Sequence, residues 1–149
     1  MAAKPDTKIR DCIMRILARR EHGVSEVRQK LAQRGFDKDR ADHIIALFQK
    51  EDLISDARFA AAYVRSRRQR GYGPRHIEQT LSSKHVQAED VVVALESFSD
   101  WANLALQTRT RRFGEALPID FKEKSKQMRF LQQRGFSHDH IRFAMAEND

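Results

Sequence analysis

Three stretches of this chain decide its fold: Leu31-Ala-Gln-Arg-Gly-Phe36, Leu81-Ser-Ser-Lys-His-Val86 and Leu131-Gln-Gln-Arg-Gly-Phe136. Their first apolar residues lie 50 positions apart, and so do their last. The same offset aligns Val27 with Ile77, Asp39 with Glu89 and Asp139, and Ile45 with Leu95 and Met145. So many matches in one order argue for an internal repeat.

Around each stretch the apolar residues recur at helical spacing. In the first copy, Ile9, Ile13 and Ile16, then Val27 and Leu31, then Ile44, Ile45, Leu47 and Phe48 mark helices over roughly 6–19, 25–34 and 39–50. Ser25 and Asp37 suit N-caps, and Gly35 suits the turn after a helix. In the second copy Pro74 fits the first position of the middle helix, where its missing N–H costs nothing. The third copy carries an insertion, Gly114 to Ile119, followed by the capping-box pattern Asp120 with Glu123. Helices this short must pack on neighbours to persist. The expected fold is therefore all-α, an elongated, curved array of three tandem three-helix repeats spanning 1–54, 55–98 and 99–149.

Composition agrees. The chain has 149 residues, 33% charged and 40% hydrophobic, with few prolines and glycines. Its net charge is +7, and Arg outnumbers Lys by 19 to 9. Arginine is favoured where a planar fork must grip phosphates or carboxylates, so the bias points to a polyanionic partner. One cysteine, Cys12, excludes an intramolecular disulfide, and it falls among the core positions of the first helix. The N-terminal segment does not read as a signal peptide, and apolar runs such as Val91 to Leu95 are far below the ~20 residues of a membrane span. A cytoplasmic protein is expected.

The positive charge clusters locally. Between Arg58 and Ile77 there are six arginines (Arg58, Arg65, Arg67, Arg68, Arg70 and Arg75) and no acid. On a helix, Arg58, Arg65 and Arg68 share one stripe opposite Phe59, Ala60, Tyr63 and Val64. In the third copy Lys122, Lys126 and Arg129 form an exposed stripe if Phe121, Met128 and Leu131 look inward. Arg109, Arg111 and Arg112 precede the insertion. Tyr72 and Phe113, each beside arginines, are candidates for stacking on unpaired bases, or else core plugs. No G-x-x-x-x-G-K-[ST] phosphate loop is present. His138 and His140 would point about 200° apart on a helix, a poor metal pair. No nucleophile motif occurs, so an enzymatic role, a metal and a cofactor are not expected.

Three segments carry a resemblance to a known family: Leu53-Ile-Ser-Asp-Ala-Arg-Phe-Ala60 with Tyr63, then Arg70-Gly-Tyr-Gly-Pro-Arg-His-Ile77, then Lys122-Glu-Lys-Ser-Lys-Gln-Met-Arg-Phe-Leu-Gln-Gln-Arg-Gly-Phe136. They resemble the hallmark segments of the RecX family, bacterial regulators of the RecA recombinase, over about Ile9 to Ala146. Two positions depart from the pattern: His85 stands where glycine is usual, and Ser55 where Asp or Asn is usual. The resemblance implies a helical-repeat protein of recombination and DNA repair that lodges in the groove of the RecA filament on single-stranded DNA. There it would damp ATP hydrolysis, strand exchange and repressor autocleavage, acting as a monomer. The alternatives are a DNA-binding regulator working without RecA, since basic three-helix units also occur in helix-turn-helix proteins, and a protein-interaction solenoid indifferent to nucleic acid.

Overall fold

The computed structural model describes residues 5–146. Among them are nine helices and no strand: α1 (Pro5–Arg19), α2 (Val24–Gln33), α3 (Lys38–Lys50), α4 (Asp56–Gln69), α5 (Pro74–Ser83), α6 (Ala88–Glu96), α7 (Trp101–Phe113), α8 (Phe121–Gln133) and α9 (His138–Ala144). Residues 1–4 of the first repeat and 147–149 of the third lie outside the described residues. The closely packed helix pairs all fall within a unit: α1, α2 and α3 on one another, then α4 to α6, then α7 to α9. The fold is the all-α array of three three-helix units that the 50-residue offset predicts.

The repeated hexapeptide is a helix stop. In each copy the N–H of the last residue returns to the carbonyl of the leading leucine: Phe36 to Leu31 at 3.2 Å, Val86 to Leu81 at 3.1 Å and Phe136 to Leu131 at 3.2 Å. This six-to-one bond requires a left-handed residue just before it. Gly35 (φ 82°) and Gly135 (φ 96°) supply it in two copies, and His85 (φ 62°) in the second. The leucines themselves are fully buried. One local sequence thus ends the middle helix and pins its last turn into the core.

Each unit owns a separate core. Ile9, Ile13, Ile16, Val27, Leu31, Ile44, Ile45 and Phe48 fill the first, with Cys12 and Ile54 at its margins. Phe59, Val64, Ile77, Leu81 and Val91 fill the second, which also takes Trp101 from the first turn of α7. The third is smaller, built on Ala105, Leu131, Phe136, Ile141 and Met145. At the position matching Val27 and Ile77 it holds Gln127, buried, whose side chain lies against Arg109 and Glu123.

Side-chain caps hold four helix starts. Asp37 accepts from the Arg40 amide at 3.0 Å, Ser55 from Arg58 at 3.2 Å, Asp120 from Glu123 at 2.7 Å and Ser137 from His140 at 3.2 Å. Ser25 does not cap α2: the helix begins one residue earlier with Gly23 as N-cap. The Val24 amide instead donates to the Asp56 carboxylate of the second unit at 2.8 Å, so a tertiary acceptor replaces the local one. Phe121, expected to look inward, is 83% exposed. It is the first residue of α8, and its neighbour in the preceding loop, Ile119, is fully exposed as well.

Candidate polyanion-binding surface

The two hallmark segments that bear most of the cations meet in space. The Gly73 amide donates to the Arg134 carbonyl at 2.7 Å, and the Arg75 amide to the Gly135 carbonyl at 2.9 Å. The start of α5 therefore hydrogen-bonds directly to the end of α8. Such an approach needs glycine on both sides. A Cβ on Gly73 would meet the Gly135 carbonyl at 2.6 Å, and one on Gly135 would collide with the His76 amide nitrogen. The Arg134 guanidinium closes the contact, donating to the Arg70 carbonyl at 3.0 Å and lying 4.6 Å from the Tyr72 ring centroid and 5.1 Å from that of Phe130.

From this contact a ladder of cations and rings runs in both directions. On one side Arg67 lies over Tyr72 (5.8 Å) and Tyr63 (5.0 Å), and Tyr63 packs on Phe59. On the other, Phe130 meets Phe113 edge-on at 5.3 Å, with Arg112 over both. His76 stacks on Tyr72 at 4.5 Å. Its pKa is lowered by burial first, then by the charges of Arg67 and Arg134, so the ring is held neutral among the cations. The guanidinium faces meet the π quadrupoles of the rings, and Phe59 anchors one end of the ladder in the core of the second unit. Nε of Arg67 and Nδ1 of His76 are buried within it without a hydrogen-bond partner.

The ladder divides the sequence candidates. The expected stripe of Arg58, Arg65 and Arg68 lies on one helix but does three different things. Arg58 is tied to Glu21 (3.0 Å) and to Asp52 (2.9 Å), and these carboxylates, Glu21 foremost, raise its pKa. Arg68 lies 4.2 Å over the Phe98 ring, which in turn meets Trp101 edge-on. Arg65 is exposed. Tyr72 and Phe113 are rungs of the ladder, Tyr72 against His76, Arg67 and Arg134, and Phe113 against Phe130 and Arg112.

Arg109 is the one candidate that burial removes from any surface, with 2% exposure. Its Nε donates to the Ala144 carbonyl at 2.9 Å, and its guanidinium faces the carbonyls of Gly114, Glu115 and Ala116 and the Gln127 amide oxygen. A cation here gathers the carbonyls that the insertion and the end of α9 leave unpaired by secondary structure. The count of arginines before the insertion could not separate this strut from its exposed neighbours.

What remains is a free set: Arg65, Arg70, Arg75, Arg111, Lys122, Lys126 and Arg129 are exposed. None of them has an ion pair among the described residues. They come from α4, the α4–α5 turn, α5, α7 and α8, and so from both sides of the glycine contact. Lys122, Lys126 and Arg129 keep to the outer face of α8, as their spacing predicts. Arg111 shares a groove with Arg68 between α4 and α7. The sequence reading missed Arg134, Phe130, Tyr63 and His76. Arg134 stood in the quoted hexapeptide, where the repeat drew attention to its neighbours Leu131, Gly135 and Phe136.

No group of histidine, cysteine and acidic side chains able to hold a metal occurs among the described residues, and no helix is long and apolar enough to cross a membrane. Fold and surface together define a tandem helical-repeat scaffold with a cationic, aromatic-buttressed face. Comparison with known proteins makes the class specific. Residues 10–46, 55–95 and 100–145 match the first, second and third three-helix domains of RecX. The regulatory protein RecX of Halorhodospira halophila (strain DSM 244 / SL1) is 42% identical over 143 residues, covering 95% of this chain and 88% of that one. RecX of Pseudomonas tolaasii is 39% identical over 142 residues, covering 95% and 92%. Among solved structures, RecX from Lactobacillus salivarius superposes with a TM-score of 0.78 at 23% identity, covering 96% of each chain. Another RecX crystal structure gives 0.80 at 23% identity, covering 97% of this chain and 72% of that one. The chain belongs to the RecX family of regulatory proteins.

Proposed function

We propose that this protein binds the RecA filament on single-stranded DNA and damps its ATP hydrolysis, strand exchange and coprotease activity, without catalysing a reaction itself. The observation that carries the reading is the free set of seven cations, mounted on two units that a backbone-to-backbone contact holds at fixed spacing. Cations on a rigid, elongated frame suit a long polyanionic partner, because little side-chain and interdomain freedom is lost on binding. The family and the expected filament partner supply the identity of that partner.

The test is the ATPase rate of RecA on single-stranded DNA, titrated with this protein at sub-stoichiometric ratios. A clear fall is expected, with no hydrolysis by this protein alone. No effect, together with tight binding to duplex DNA, would assign it to the regulators that act without RecA. Arg65→Glu with Arg70→Glu should abolish the inhibition while leaving helicity intact. This pair is cleaner than one including Arg68, whose guanidinium also packs on Phe98.

A further inference from the structure

The first unit contributes no cation to the free set described above, yet it holds a wide groove of its own. About 730 Å³ opens between α1 and the end of α2. Five cations line it: Lys8, Arg15 and Arg19 from α1, Lys30 from α2 and Arg34 at its C-cap. Asp11 is the single acid among the lining residues.

The segregation has a cause. Other acids of the unit are turned elsewhere: Glu21 and Glu26 to the contact with the second unit, Asp42 to Arg28, Asp37 to the cap of α3, and Asp6 and Asp39 to a separate groove. None of the five groove cations forms an ion pair among the described residues. Lys30 instead points its ammonium at Nε2 of His22, 2.8 Å away. That ring is buried, and burial first, then the charges of Arg20 and Lys30, lowers its pKa, so it offers a lone pair and no counter-charge. Five like charges around one concavity, with Asp11 the single counter-charge in its lining, leave a net positive field that an entering anion relieves.

The spacing says what kind of anion. Lys8, Arg15 and Arg19 lie on one face of α1, the first and last eleven positions apart, roughly 16 Å at the helical rise. Lys30 and Arg34, four residues apart at the end of α2 and its C-cap, form a shorter second rail facing them. A single phosphate is much shorter than this track. Phe36, half-buried, closes one wall beside Arg34 and presents a ring to a base.

We propose that this groove is a direct binding site for single-stranded nucleic acid, with the phosphodiester backbone running between the two rails of cations. The site lies on a unit to which the filament reading assigns no contact. The proposal draws on that reading for its choice of strand, but its test needs no RecA, so the two fail separately.

The test uses the full chain and a single-stranded oligothymidylate. Lys8→Gln, Arg15→Gln and Arg19→Gln are combined; all three side chains are exposed. At low salt the triple variant should bind at least about tenfold more weakly. Its plot of log affinity against log salt should flatten by about 2, given about 0.7 per phosphate contact on a single strand. Unchanged affinity and slope in a variant of native helicity would overturn the proposal. Loss of RecA inhibition with oligonucleotide binding intact would overturn it too, assigning the groove to an acidic protein face.

The unsubstituted protein gives a second readout. Cys12 lies in the groove wall beneath Arg34 and is the chain's single cysteine. Saturating oligothymidylate should slow its modification by a thiol reagent severalfold, and an unaltered rate would place the strand elsewhere and sink the proposal.

Discussion

The two junctions between units are built from opposite materials. Between the second and third units the contact is backbone on backbone, Gly73 and Arg75 amides to Arg134 and Gly135 carbonyls, sealed by Arg134 between two rings. Between the first and second it is made by side-chain charges. Glu26 takes Arg20 and Lys84 at 3.0 Å each, Arg58 spans Glu21 and Asp52, and Asp56 caps α2. A backbone contact at this range fixes geometry and tolerates no added atom. A charge network holds only while its members are ionised, and salt weakens its exposed pairs. The same repeat therefore stacks twice with different mechanical character: a stiff joint under the free cations of units two and three, and a titratable joint next to the groove of unit one.

The harshest way to break the comparison is to add one methyl at the stiff joint. Gly135→Ala places a Cβ against the His76 backbone in a left-handed conformation, and should cost about 3 kcal/mol or more, or undock the third unit. Denaturant unfolding followed by near-ultraviolet signals would then separate into two transitions. A single transition with an unshifted midpoint would mean that the joint yields easily.

Acid should attack the other joint. Burial pushes the Glu26 carboxyl up, but hydrogen bonds and charge from Arg20 and Lys84 outweigh it and bring its pKa to about 2, from 4.5. The folded-state pKa is depressed, so the stabilisation is present above pH 4.5 and is lost as pH falls toward 2. Its size is on the order of 2 kcal/mol once partial exposure of the partners is allowed for. Glu26→Gln should flatten the pH dependence of stability in that window. An equally steep profile would remove Glu26 from the account. At higher pH the two joints are not distinguished. Burial lowers the pKa values of His22, His76 and His140, so each favours the folded state above 6.5 and opposes it as pH falls below.

Asp56→Ala sharpens the contrast at smaller scale. It leaves the Val24 amide without its acceptor, and a loss of about 1 kcal/mol is expected, typical of a helix cap. Hydrogen exchange at Val24 should quicken while exchange at Gly73, in the stiff joint, stays slow. The smallest effect is a gain. His85 holds a left-handed conformation in which its two counterparts are glycine, so His85→Gly should raise stability by up to about 1 kcal/mol. A loss would show that the imidazole contributes something its exposure hides.

The fold was open to reading because its signals are local. The leucine that anchors each middle helix, the left-handed residue after it and the apolar return all lie within six consecutive residues, and the 50-residue offset displays them three times. The caps Asp37 and Asp120 were legible for the same reason, since an Asp needs only its own next turn. Ser25 misled because Asp56, distant in sequence, reaches the α2 amides first. Phe121 misled because helical period assigns a face, and a first-turn residue next to an exposed loop need have nothing to face.

The candidate surface was legible only as a list of charges. Arg58, Arg65, Arg68 and Arg109 are equally cationic in the sequence. Whether each is a tie across a junction, a free contact, a cap on a ring or a buried strut depends on which acids, rings and carbonyls the folded chain brings beside it. By itself the sequence determined the helices, their stops, the three units and the basic character of the protein, because each depends on neighbours in the chain. Only the tertiary structure decided which cations stay free and which joint is stiff, because an unpaired charge and a backbone close approach are properties of groups that meet across dozens of residues.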